Sequence, residues 1–479
     1  MADRMPLLRP RFAAASDGVG ARLTLLLATL SIIDLLGVLP IIVLPRTIAE
    51  CGWLGIPLTL LVFTLQIYTA LLLGRCWIIA ETLHPDIVYD SRYPYAALAE
   101  LSYGRKFGKF VTILLDLHIF GNAVPDLIVA AENLQLLGLK SSSWEFDFSF
   151  CYWTLVLGIC LCPITWLGTP RDTKWVTTLS VMLVVSSTLL VWACLVASGG
   201  EWRPVPLPDP AWDSVAIAYG VLAFQFDVHP LILSVQMEMD RKDHLGYAIL
   251  GAFFVTGGLS LATTGVVLAR FGGAARANLL QGFASSPQLY LALLLATAQL
   301  CLALVLSAAR CFGDIEDKLG MPQGFGWQRA LLRTALVGLA VLAAEGVPRF
   351  DLLMGLVGGS LTGPLMLLLP PLVYARLRTM QDQARRVPAP DYTATDDSVD
   401  ETLPPSLPPV GTAESGLLRA TACRLLSLEG ASDEGPLSIW ETLLVSSVVV
   451  AGIAASLAAT YFSMRDSINI AQFSPPCLQ

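Results

Sequence analysis

The sequence predicts an all-α membrane protein with eleven transmembrane helices. Two observations carry the prediction. Of the 479 residues, 55% are hydrophobic and 14% charged, well below the roughly 25% charged typical of soluble domains. Apolar stretches near the ~20 residues that cross ~30 Å of hydrocarbon recur along the chain. They fall at about 23–46, 54–79, 110–137, 149–168, 175–198, 212–237, 245–269, 287–309, 332–346, 352–375 and 438–462.

The first stretch carries Asp34, Gly37, Pro40 and Pro45 inside an otherwise apolar run. The second is apolar throughout. The third holds Asp116, His118, Gly121, Asn122 and Asp126, with Asp116 and His118 on diverging helical faces and Asp126 on the Asp116 face. The fourth and fifth are apolar, and Cys160-x-Cys162 in the fourth reads as packing. The sixth is interrupted by Asp227, His229 and Pro230. In the eighth, Thr297 and Ser307 are hydroxyls that could serve sodium, though such hydroxyls usually bond back to their own helix. The ninth is short. In the tenth, Gly355, Gly359 and Gly363 make a smooth face for close packing.

The parts between divide the chain. Residues 1–22 are an Arg-containing tail without a signal-peptide core. Residues 23–375 form a ten-helix core with broken helices 1 and 6. Residues 376–437 are an acidic, Pro-rich linker, too polar to fold alone, with a short interfacial helix or frayed chain around Leu417–Leu426. The eleventh helix, 438–462, precedes a tail, 463–479, that is extracellular or luminal. The short inner segments hold the excess of Lys and Arg, which puts the N-terminus and the linker in the cytosol.

Spans 1 and 6 occupy matching places if spans 1–5 and 6–10 are inverted repeats. Paired interruptions of this kind point to a transport site. A break frees backbone groups that hydrocarbon cannot satisfy, so a polar solute, ion or water must complete the bonding. One half-helix offers carbonyls to an ammonium group and the other offers N–H groups to a carboxylate. An α-amino acid carries both. The plain alternative is an Asp–His couple that only stabilises the bundle.

The stretches "RYPYAALAELSYGRKFGKFV", "AAENLQLL", "VLPRTIAECGWLGIPLTLLVFTLQIYTALLLGRCW" and "VPRFDLLMGLVGGSLTGPLMLLLPPLVYARL" resemble the amino acid/auxin permease family, in particular its invertebrate proton-coupled amino acid transporter branch. The likeness runs from about residue 22 to 375. It implies a leucine-transporter-type 5+5 inverted repeat plus one extra helix, and secondary amino acid transport by symport with protons or sometimes sodium. It departs where the family has glycines. Val38, Leu39 and Pro40 follow Gly37 before Leu44-Pro45, and Phe226-Asp227-Val228-His229 stands where Phe-Gly-Gly-His is common. Bulk there narrows the approach of a ligand to the backbone, so the substrate class is left open.

The substrate-binding candidates are Gly37, Val38, Leu39, Pro40, Phe226, Asp227, Val228 and His229. The ion-coupling candidates are Asp34, Asp116, His118, Asp227 and His229, since intramembrane acids are functional by default and imidazole titrates near neutrality. Asp227 either carries the proton or attracts a cationic substrate. Glu132-Asn133 is expected to anchor a helix end. No cofactor, metal set or nucleic-acid footprint is expected, and protein partners are not indicated. No P-loop or hydrolytic constellation appears, so the reading is a non-enzymatic transporter in the plasma or endolysosomal membrane. The rival is a sensor or scaffold that binds an amino acid without turnover.

Overall fold

The computed structural model describes residues 23–89, 93–142, 148–166, 173–198, 204–322, 326–346, 349–386, 428 and 438–470. The expected tails, most of the linker and its candidate interfacial helix lie outside them. All regular structure among the described residues is helical, joined by two isolated backbone bridges, Leu23 with Met239 and Val205 with Gly272.

The first span is two half-helices, α1 (Leu25–Leu36) and α2 (Leu39–Glu50), bent by 51°. Next come α3 (Gly55–Leu83), the short α4 (Pro94–Tyr103), α5 (Arg105–Ser141), α6 (Phe150–Trp166) and α7 (Thr173–Ala197). The sixth span is again divided, into α8 (Trp212–Gln225) and α9 (His229–Glu238). It is followed by α10 (Leu245–Phe271), α11 (Pro287–Lys318) and α12 (Trp327–Gly346). The tenth span begins as α13 (Phe350–Val357), turns π-helical over Gly358–Thr362 and Pro364–Leu368, and ends as α14 (Leu369–Arg386). The last helix is α15 (Ile439–Ile470).

Each of the eleven apolar stretches is helical. Eight helical runs among the described residues are long and apolar enough to cross a membrane, or nine with α1 and α2 as one bent span. The expected eleven are therefore not all matched. Helix α6 has only 17 residues, and α12 carries Arg329, Arg333 and Glu345 in its 20. Two boundaries also move outward. Helix α14 continues to Arg386, past the expected end of the core at 375, and α15 continues to Ile470, past 462.

Helices α5 and α11 pack along each other and gather α6, α7 and α12 around them. The broken helices pack with α3 and α10, while α13, the first π-helical stretch and α15 lie against α8, and α14 packs on α3. Large apolar side chains such as Ile113, Ile159, Leu189, Phe254 and Leu457 remain exposed on the outer faces, where lipid rather than water is the solvent. Inside are two apolar cores. One holds Leu36, Phe226 and Val228 with α3, α4 and α10. The other holds Val38 and Phe224 with α2 and the halves of α5 and α11 next to it. Both helix breaks sit where the cores meet.

Several buried charges are paired. Arg333, 1% exposed, donates through Nε to Glu316 Oε1 at 2.6 Å and through Nη2 to Oε2 at 3.1 Å, with Nη1 on the Thr165 carbonyl. This fork joins α6, α11 and α12, and its planar bidentate geometry is the strong form of such a pair. The glycine stripe of span 10 packs as expected. A Cβ on Gly359 would lie 2.8 Å from that of Ala459, and one on Gly358 would lie 1.8 Å from the Gly220 carbonyl oxygen. Gly358→Ala must push α8 and the π-helical stretch apart. Overpacking of this kind costs about 1–3 kcal/mol, so the variant should unfold several degrees below wild type in a detergent thermal melt.

Candidate functional site

Both breaks have local causes. Helix α1 is capped by Thr24, whose hydroxyl accepts from Leu27 N at 3.4 Å, and it ends at Gly37 with φ +62°. That left-handed conformation costs glycine little and other residues more. Val38 follows, and Pro40 lies in the first turn of α2, where a missing N–H does no harm. The break is thus at Gly37–Val38, within the expected Gly37–Pro40 stretch. Pro45 lies within α2 without ending it. In span 6 the interruption is Phe226–Val228, and Pro230 opens the first turn of α9. Trp212–Glu238 still runs as one span without a sharp bend.

The two half-helix starts differ. Helix α2 has no side-chain cap. At α9 the Asp227 carboxylate takes the first backbone donor, with His229 N to Oδ1 at 3.2 Å. At α2 Pro40 has no N–H and Ile41 N donates to Val38 O at 3.1 Å, so the two starts differ in that a side chain serves α9 and none serves α2.

Asp227 sits between two imidazoles, all three side chains at most 3% exposed. His118 Nε2 on α5 lies 2.7 Å from Asp227 Oδ2. The same nitrogen lies 3.0 Å from Asn122 Nδ2. It cannot donate to the carboxylate and accept from the amide together, so only one of these bonds is made at a time. Its other nitrogen faces the Thr362 hydroxyl at 3.4 Å, which can donate or accept and so fixes no tautomer. On the other side, the Thr69 hydroxyl lies 2.8 Å from Leu65 O and 2.9 Å from His229 Nε2. With the hydroxyl hydrogen on Leu65 O, Nε2 is the donor and Nδ1 presents a lone pair to Asp227 Oδ1 at 3.6 Å; with it on Nε2, Nδ1 carries a proton towards that oxygen. The geometry accommodates a proton between the two side chains.

A cavity of about 170 Å³ opens beside this group. His118, Asn122 and Asp126 line it from α5, Asp34 and Ser31 from α1, Asp227 from the second break, and Ser307 and Arg310 from α11. It extends towards Leu23 and Glu238, where exposure rises. The opposite end is closed by contacts that include Asn278 Nδ2 to Asn133 Oδ1 at 2.9 Å and Arg46 Nη1 to Ala275 O at 3.1 Å. Leu23 N donates to Glu238 O at 2.8 Å and Asp240 N to Leu23 O at 3.0 Å, which tie the start of α1 to the end of α9.

The sequence candidates thus separate. Asp227, His229 and His118 come together, with Gly37 and Val38 at the first break and Phe226 and Val228 at the second. Leu39 and Pro40 are buried in α2. Asp34 lines the cavity within the field of Arg310, its Oδ1 making no hydrogen bond. Asp116 faces elsewhere, bonded to Tyr93 at 2.9 Å and to Lys318 at 2.5 Å. Asp126 falls on the His118–Asn122 stripe, four residues apart each time, and leaves the Asp116 face expected for it. Glu132 and Asn133 hold the helix end through Gln281 and Asn278. Ser307 bonds back to Ala303 O at 2.8 Å. Among the described residues no group of three His, Cys, Asp or Glu could hold a metal ion.

Sequence reasoning missed Thr69, Thr362, Arg310, Gln225 and Gln299. The first two are single hydroxyls in apolar runs, without a signal of their own. Gln225 and Gln299 could have been noticed as amides in such runs, since each is costly there unless bonded.

Residues 25–392 match the model of the family described as transmembrane amino acid transporter protein. Among curated relatives, amino acid transporter AVT1B of Arabidopsis thaliana is 23% identical over 348 residues, covering 68% of this chain and 60% of that protein. AVT1I of the same plant is 22% identical over 360 residues, covering 70% and 82%. The chain spans about 60% of the length of the first curated relatives it matches. Among solved structures, MhsT in complex with L-phenylalanine superposes with a TM-score of 0.52 at 11% identity, covering 91% of this chain and 98% of that one. The shared architecture is the leucine-transporter fold.

The cavity's course predicts chemical access. Cysteines placed at Ser234 and Ala303, both lining it, should react with a water-soluble thiol reagent in detergent faster than wild type does. A cysteine at Ala296, 1% exposed in the closed half, should add no labelling. Equal labelling at all three would contradict the closure.

Proposed function

The chain belongs to the transmembrane amino acid transporter family, and on that premise we propose that it is a secondary active transporter of an amino acid, driven by protons, working by alternating access. In this reading α6 and α12 complete eleven crossings, the N-terminus is cytosolic, and the cavity faces the cytosol in the present conformation.

The observation that supports proton coupling is the approach of His229 Nδ1, which has no hydrogen-bond partner, to Asp227 Oδ1 at 3.6 Å. A buried polar group without a partner is costly, and a shared proton removes the cost. His118 then chooses between Asp227 and Asn122, so the proton's presence is felt on α5, outside the broken helices. The cargo's carboxylate is assigned to the uncapped start of α2. Its ammonium is assigned to the carbonyl end of α1, with Asp227 as the charge nearby. Loading the ammonium competes with the histidines for Asp227, which is how cargo and proton sense each other.

The alternation has a body to move. The bridge from Leu23 to Glu238 and Asp240 makes α1 and α9 swing as one against α5 and α11. Closing that end and opening the other exposes the same breaks to the opposite side.

Purified protein in proteoliposomes should concentrate an amino acid when the pH gradient is imposed, and collapse of the gradient should abolish the accumulation. Asp227→Asn should lower gradient-driven accumulation at least about tenfold, on the order of one general acid–base group, while binding in a thermal-shift assay persists. Binding without accumulation in the wild type would favour a sensor instead. Unchanged pH dependence in the variant would remove Asp227 from the coupling role.

A further inference from the structure

Resting on that reading, we propose that Asp126 on α5, where it lines the cavity, recognises a positive charge on the cargo's side chain, so that the preferred substrates are basic amino acids.

Asp126 lines the cavity. Among the described residues it makes no ion pair and no hydrogen bond. Asp227 is engaged by His118 and His229, and Asp34 lies in the field of Arg310. Asp126 has only the thiol of Cys301 for an electrostatic neighbour on α11. An acid held in a membrane-spanning bundle without a counter-charge is kept for a ligand or a proton.

A second observation points to a ligand. Gln299 is 1% exposed, and neither atom of its amide has a hydrogen-bond partner. The amide nitrogen lies 3.2 Å from where a Cβ on Gly37 would be, so it faces the first break. Helices α5 and α11 run antiparallel, with Cys311 beside Asp116 and Cys301 beside Asp126. Gln299, two residues from Cys301, lies on another face of α11 and serves the first break. The Asp126 carboxylate is left as an acceptor for the N–H groups of an ammonium or guanidinium.

The α-ammonium is already served by α1 and Asp227, so a second cation must come from the side chain. From His118 to Asp126 the α5 backbone rises about 12 Å. A long basic side chain covers such a gap, whereas an aliphatic one leaves Asp126 unsatisfied. Sites that depend on a hydrogen bond reject the analogue lacking it more sharply than apolar pockets reject a missing methylene.

The test compares lysine, arginine and leucine as cargo for full-length protein in proteoliposomes, with a thermal-shift assay of the detergent-solubilised protein on the same panel. Wild type should take up lysine and arginine with KM values at least about tenfold below leucine's. Asp126→Asn should erase that preference, chiefly by raising KM for the basic amino acids, while Asp126→Glu keeps it. A wild type indifferent to side-chain charge overturns the proposal. So does an Asp126→Asn variant that slows all three alike, or one that loses its pH dependence with preference intact. If no amino acid is transported, the transport reading fails and the thermal shift still decides. A lysine-specific stabilisation lost in Asp126→Asn supports the subsite, and none in the wild type overturns it.

Discussion

The carboxylate of Asp227 faces three demands with two oxygens. Oδ1 accepts the first backbone N–H of α9 and faces Nδ1 of His229, while Oδ2 meets His118 from the neighbouring helix. One side chain thereby caps a half-helix, meets His229 on one side and holds the broken span to α5 on the other. Changing the charge on that carboxylate alters all three contacts. No side-chain cap exists at α2, and in the proposed function this asymmetry is what directs an incoming carboxylate to the first break.

The surroundings make such a group tolerable. The two apolar cores meet at the breaks and are continuous on either side of them, so irregular backbone faces a cavity and never lipid. The close packing of Gly220 with Gly355 and Gly358 carries the π-helical stretch up to α8, and that stretch delivers Thr362 to His118. Pro364 lacks the donor that a regular turn would use there. Packing of small residues at one face thus sets the hydrogen-bonding options of an imidazole on another helix.

Much of this was legible in the sequence. Apolar runs near membrane length located every helix but the short α4, and acids or prolines inside two of them located both breaks. The first break falls within the expected Gly37–Pro40 stretch, but the prolines were weighed as breakers alongside the glycine. In fact Gly37 stops α1, and Pro40 starts α2. Helical periodicity separated Asp116 from His118 correctly but put Asp126 with Asp116. Stripes of positions three and four apart diverge by only a fraction of a turn, and Pro125 lies within α5 just before Asp126. Thr69, Thr362 and Gln299 were illegible for a different reason. Their importance comes from a partner, or a missing one, on a helix far away in the chain, and periodicity carries no such information.

The central claim is that a proton resides between Asp227 and His229 and is released or shifted when cargo reaches the breaks. Infrared difference spectroscopy of the reconstituted protein, with and without a transported amino acid, tests it most directly. The account predicts a protonated-carboxyl band that changes on cargo addition and disappears in a chain lacking the Asp227 carboxylate. A spectrum without any carboxylic-acid change, or one whose change survives the loss of that carboxylate, would contradict it.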